Sequence, residues 1–196
     1  MKKLILAAIC LSVPLCAQNW EVGIFAGQQS YKSSLADQSG LPIKADSKTV
    51  FGARLGYSVV DLGPALFQVT AGFQPQSEAA VKLSGVDSGT TYQYQHMSVG
   101  AMFNFKAYLA FGAGIEYRFE KVAYSNGWAN EVSYNRPWAR ANVGMSFPTP
   151  ILKPFLGLEV AAPLIAKTAG GLTNGDDTTR AGAPKLQVGL YGGIRF

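Results

Sequence analysis

The chain has 196 residues, a formal charge of +5, and only two cysteines, Cys10 and Cys16, both within its first seventeen residues. Residues 18–196 therefore have no disulfide to reinforce a thin core. The basic residues are scattered, which excludes the clustered patch that nucleic acid requires.

The first element reads as an export signal. Met1-Lys2-Lys3 is a short basic region, Leu4 to Leu15 is apolar, and Ala17 supplies the small residue for cleavage before Gln18. Residues 1–17 are thus expected to be a signal peptide and 18–196 one domain, with formal charge +3 once Lys2 and Lys3 are removed. Bulky Ile9 and Leu15 precede the two cysteines where a lipoprotein signal carries a small residue, so no lipid anchor is expected. The apolar stretch is too short for a spanning helix, and no later run approaches ~20 apolar residues.

Eight alternating segments follow, at about 20–28, 50–58, 65–74, 92–104, 107–119, 132–147, 154–162 and 185–196. Three connections are short and rich in turn formers: 59–64, Phe105-Lys106, and 148–153. The other four, 29–49, 75–91, 120–131 and 163–184, are long and polar. An even number of strands with short turns at one end and long loops at the other is the pattern of a transmembrane barrel. The predicted fold is all-β: an eight-stranded antiparallel up-and-down transmembrane β-barrel. The last segment alternates through to Phe196, so it is expected to close the barrel against Trp20 to Ala26.

A soluble eight-stranded barrel also alternates, but with the apolar parity inside. The polar parity decides between them. In the fifth segment Leu109, Phe111, Ile115, Tyr117 and Phe119 oppose Gly112, Gly114, Glu116 and Arg118. Glycine recurs on the second parity, where on a water-facing strand it would only weaken the sheet. Inside a narrow bore it makes room for large polar side chains. The glycine and charge parity is therefore expected inside. It holds Glu21, Glu116, Glu120 and Glu159 against Arg54, Arg118, Arg140 and Arg195, with Asn142, Gln68 and Gln187 to bridge them. Balanced charge suits a closed interior, because an unpaired buried ion costs several kcal/mol. These residues are read as an ion-pair plug, or alternatively as a gated polar path. Arg140 and Glu159 fall at similar height. Two aromatic girdles are expected: Trp20, Tyr57, Phe67, Phe103, Phe147 and Phe196 at the short-turn end, and Phe73, Tyr92, Tyr117 and Phe119 at the other.

With this signal, strand count, loop asymmetry and terminal pattern, the chain resembles the small eight-stranded outer-membrane barrels, the group around the OmpA transmembrane domain and OmpX. The resemblance implies a location in the cell outer membrane, contact with outer-membrane lipids and lipopolysaccharide, and a monomer. It also implies that the barrel-assembly machinery reads the last strand, through Leu190, Ile194 and Phe196. Gly192 departs from that pattern, which normally has bulk there. The peptidoglycan-tethering domain that often follows an OmpA-type barrel is not expected after Phe196.

Signs of chemistry are sparse. His96 and Ser98 share one strand face, with Glu116 and Glu120 on the next strand. Outer-membrane lipid A deacylases use a His-x-Ser pair with a glutamate, but on the lipid face, whereas the parity here puts His96 and Ser98 inside. Val99-Gly100-Ala101 does not continue that motif. Asn174-Gly175-Asp176-Asp177 lacks the spaced ligands and closing glutamate of a calcium loop. No catalysis, metal or cofactor is expected. The function read from the sequence is a scaffold for long surface loops serving adhesion, binding of an extracellular ligand, or envelope integrity. The alternative is a narrow OmpW-like passage for small hydrophobic molecules, which an apolar inner funnel would favour.

Overall fold

The computed structural model describes residues 19–31, 35–36, 42–125, 131–147, 149–165 and 183–196. The expected signal peptide, both cysteines and Asn174 to Asp177 lie outside these residues. Among the described residues ten strands form one sheet: β1 (Trp20–Tyr31), β2 (Leu35–Ala36), β3 (Pro42–Ala45), β4 (Lys48–Leu62), β5 (Ala65–Leu83), β6 (Val86–Lys106), β7 (Leu109–Tyr124), β8 (Val132–Ser146), β9 (Lys153–Pro163) and β10 (Pro184–Arg195). All but β2 and β3 are staves of an antiparallel barrel in the order β5-β4-β1-β10-β9-β8-β7-β6, closed by β5 against β6. The short β2 and β3 extend the sheet past β5 at the long-loop end.

Closure of the barrel falls where the alternation predicts. β1 pairs with β10 from Glu21↔Arg195 to Tyr31↔Pro184. Trp20 and Phe196 exchange both backbone hydrogen bonds at 2.9 Å, which ties down the terminal residue.

The apolar parity faces outward. Ile24, Phe51 and Ile115 are each more than 60% exposed, and Val143 and Leu158 more than half. Glu116, Arg118 and Arg140, one parity over, are at most 3% exposed. Only a surrounding hydrocarbon phase makes that arrangement favourable, since it leaves the apolar face uncovered and hides the ions. The bore is tight: a Cβ added at Gly23 would lie 2.5 Å from the Tyr191 ring.

Two of the short turns follow from their residues. Leu62↔Ala65 brackets Gly63-Pro64, with Gly63 at φ +79° and its N–H donating to the Asp61 carboxylate at 2.8 Å. β6 and β7 meet across Ala107-Tyr108.

The connection expected as a loop at 75–91 is instead a hairpin. β5 and β6 continue as paired strands to Leu83↔Val86, and Ser84 (φ +49°) and Gly85 (φ +86°) form the two-residue turn. Positive φ at both central residues is the twist-matched hairpin geometry. β6 has 21 residues, about 70 Å of strand at ~3.3 Å each, roughly twice what a membrane crossing needs. β7 likewise runs to Tyr124, into the segment expected as a loop from 120, and β2 and β3 occupy part of 29–49. The upper half of the β5–β6 hairpin therefore stands beyond the bilayer as ordered sheet.

One seam is incomplete. β4 pairs with β5 only from Ala53↔Phe73 downward, so Lys48 to Gly52 join β1 but form no ladder with β5. Contact with the region ahead of β4 resumes where the Asp46 N–H donates to the Ala80 carbonyl at 3.0 Å. A bulge between Gln74 and Ser77 sits at this break, and Pro75 within it has no N–H to offer.

Candidate functional site: the charged bore

The inward side chains form tiers. At the short-turn end, Glu21 accepts from Lys106 through one oxygen and from the Tyr191 hydroxyl, at 2.9 Å, through the other. Gln68 donates to Glu21 at 3.2 Å and accepts from Asn104. Lys106 also lies 3.9 Å from the centre of the Phe155 ring. Arg195 reaches Asp61 at 4.0 Å on the rim.

The middle tier is the most highly charged. Arg54 grips Glu159 with two hydrogen bonds, at 2.7 and 2.9 Å. Glu116 takes Arg118 on one oxygen at 2.6 Å and Arg140 on the other at 2.7 Å. Arg118 donates onward to Gln187 at 2.8 Å, Gln187 to Gln74 at 2.9 Å, and Gln74 to Gln29 at 3.0 Å. Above it, Arg136 donates twice to Glu120, at 2.6 and 2.7 Å, and the Tyr94 hydroxyl donates to the same carboxylate at 2.6 Å. Trp138, fully buried, is stacked under the Arg118 guanidinium at 3.8 Å.

Of the eight charged residues expected inside, seven are hydrogen-bonded in this network, while Arg195 is buried but only approaches Asp61 at 4.0 Å, with its Nε and Nη1 unpartnered. The sequence reading missed two more buried cations, Lys106 and Arg136. Lys106 stands in the connection expected at Phe105-Lys106, yet it shares the parity of Asn104 and Met102. Arg136 shares the parity of Trp138 and Arg140, a signal that was there to be read. The interior is consequently not balanced at four against four. Arg140 and Glu159, expected at similar height, approach to 3.9 Å, but the shorter contacts of each are elsewhere: Arg140 to Glu116 and Glu159 to Arg54, both at 2.7 Å.

The topmost tier is apolar. Tyr31, Ala79, Val81, Tyr92, Tyr94, Val122, Tyr124 and Val132 pack together inside the sheet beyond the bilayer. Tyr92 belongs here, with rings of Tyr31 and Tyr124 at 5.1 and 5.5 Å, and not to an outer girdle. On the outer wall, Trp20 and Tyr57 meet at 5.0 Å at one end and Tyr117 and Phe119 at 5.5 Å near the other.

His96 and Ser98 point into the bore, buried. Both carboxylates near them are committed, Glu116 to two arginines and Glu120 to Arg136 and Tyr94. The cavity beside them measures about 20 Å³, room for roughly one water. A concavity of about 710 Å³ lies on the outer wall, over Leu55, Val69, Ala71, Val99, Ala101 and Ile115, on the apolar face of the sheet.

No protein-family profile matches the chain, and no curated protein sequence does. Solved structures do match its fold. A major outer membrane protein from Thermus thermophilus aligns over 90% of this chain and 98% of its own, at 15% identity and a TM-score of 0.54. OprG from Pseudomonas aeruginosa aligns over 91% and 97%, at 13% identity and a TM-score of 0.51. The chain has the fold of the small eight-stranded outer-membrane barrels. It is an integral barrel of the outer-membrane type.

Proposed function

We propose that this outer-membrane barrel is a closed, non-catalytic scaffold that presents its long-loop end to an extracellular ligand or neighbouring envelope component. One observation carries the reading: ion pairs and aromatic rings fill the bore tier upon tier, with a cavity of only about 20 Å³ in the middle. Eight staves leave no water channel once such side chains are inside. What varies freely on a rigid barrel is its loops, and here the β5–β6 hairpin adds an ordered platform among them. Lipopolysaccharide surrounds the barrel, the assembly machinery reads Leu190, Ile194 and Phe196, and the protein acts as a monomer. The saturation of Glu116 and Glu120 supports the absence of a His96–Ser98 catalytic pair.

Steady conductance of the wild type in a planar bilayer would overturn the closed scaffold. Biotinylation of single cysteines at Gly85 and Asp61 on intact cells tests the orientation: Gly85 is expected to label and Asp61 not. Replacing 76–93 by a two-residue turn should leave a folded barrel and abolish surface binding.

A narrow passage for small hydrophobic molecules is the second reading. It is favoured by the apolar top tier together with the incomplete β4–β5 seam beside it. Uptake of an apolar solute that is lost when a disulfide bridges Phe51 and Pro75 variants would support it over the scaffold.

A further inference from the structure

We propose that the middle tier of the bore holds one small monovalent anion of halide size, seated among Arg54, His96, Ser98 and Arg118. Charge is the first reason. Among the described residues the short-turn tier is neutral, with Glu21 and Asp61 against Lys106 and Arg195, and the upper tier is neutral, with Glu120 against Arg136. The middle tier sets Arg54, Arg118 and Arg140 against only Glu116 and Glu159. One buried cation is left over, at the depth where water is scarcest, and an uncompensated buried charge is strongly destabilising.

Hydrogen bonding is the second and independent reason. Arg54 Nε, Arg118 Nη1 and His96 Nδ1 are all buried without a protein partner. The carboxylate and amide oxygens near them are already engaged, and of the side-chain oxygens around the cavity only the Ser98 hydroxyl has lone pairs to offer. Both Glu159 oxygens take Arg54, both Glu116 oxygens take arginines, Gln187 Oε1 takes Arg118, and Gln74 Oε1 takes Gln187. Arg54, His96 and Arg118 line the same cavity of about 20 Å³, together with Ser98, Gln74 and Gln187 and, toward the β4–β5 seam, Gly52, Gly72 and Phe73. Donors in surplus, a surplus positive charge and a space for one small particle coincide. A water could accept from these donors but would leave the charge uncompensated, so the site favours an anion over water. Glu116 also borders the cavity, but its lone pairs already face Arg118 and Arg140.

Crystals of the intact barrel grown in bromide in place of chloride test this directly. An anomalous peak in the cavity beside Arg118 is expected; peaks only on the protein surface, or water alone in the cavity, overturn the site. A second measurement does not need crystals. The unfolding half-life in detergent, compared in sodium chloride and sodium gluconate at equal ionic strength, is expected to be roughly tenfold longer in chloride. Gln187→Glu supplies the missing negative charge at nearly the same shape, and it should remove both the bromide peak and the chloride dependence. Equal half-lives for the wild type in the two salts, or a chloride dependence unchanged in Gln187→Glu, would refute the proposal.

Discussion

Two regions of one sheet obey opposite rules. In the lower barrel, Ile115 and Leu158 face out while Glu116, Arg118 and Glu159 face in. Beyond the line of Phe73, Met97 and Phe119, the same strands invert. Glu78 and Gln93 hydrogen-bond on the outside at 3.0 Å, and Lys82 pairs with Asp46 there, while Val81, Tyr92 and Val122 turn inward. No strand ends at the change, since β5, β6 and β7 run through it. The backbone is indifferent; the solvent outside the wall decides which parity is hidden. In lipid the interior is where ions can find partners. In water it is where rings and aliphatics go, as in any core.

The largest difference between the regions should come from the ions. Glu116→Ala leaves Arg118 and Arg140 both without their principal partner at mid-depth. A loss of about 3–5 kcal/mol is expected, measured as denaturant-induced unfolding in detergent or vesicles. Stability equal to wild type would mean that the network is solvated and the bore is wet. Next in size is a charge placed on the wrong side. Ile115→Arg is expected to cost about 2–4 kcal/mol and to reduce the folded fraction in membranes. The matched change above the line, Ala123→Arg, should leave the folded fraction unchanged. If both assemble alike, the boundary is misplaced.

Much of this was legible because alternation carries parity, and parity survives errors in strand ends. Ile115 against Glu116 in β7 is unambiguous in the sequence and in the fold. The length of the β5–β6 hairpin was not. Residues 84–89, SGVDSG, have a loop's composition, and only the Ser84-Gly85 dipeptide hinted at a two-residue turn. Tyr92 was misread for a related reason: an aromatic near a strand end suits a headgroup girdle, but the strand continues past it and its parity is inward. The ion-pair partners were beyond reach in principle. Arg54 and Glu159 sit on β4 and β9, with β1 and β10 between them, 105 residues apart in sequence. Which cross-bore pairs meet depends on stave tilt and stagger, and a pattern of alternation does not encode these.

Smaller effects sharpen the comparison above the line. Val81 is buried in the apolar tier at 1% exposure. Val81→Ala removes two methyl-sized groups, about 2 kcal/mol with the cavity included. Its loss should loosen the hairpin first, read as faster proteolysis at Ser84-Gly85 in an otherwise folded barrel. Global unfolding at lower denaturant with no change in hairpin cleavage would show instead that the tier is continuous with the barrel below.

The smallest expected effect belongs to Lys121 and Glu131, an ion pair at 2.8 Å on the outer face of the overhang, with both side chains about half exposed. It shares its charge types and its short distance with the Arg136–Glu120 pair inside, which is bonded at 2.6 Å and buried. Distance alone would rank them together. Water separates them: two exposed long side chains gain little by pairing and lose conformational freedom in doing so, and salt screens what remains. A double-mutant cycle on Lys121→Ala and Glu131→Ala is expected to give a coupling below about 1 kcal/mol that vanishes by about 1 M salt. The same cycle on Arg136→Ala and Glu120→Ala should give a larger coupling that salt barely changes. Equal couplings, or equal salt sensitivity, would mean that the solvent boundary drawn between Phe119 and Lys121 does not exist.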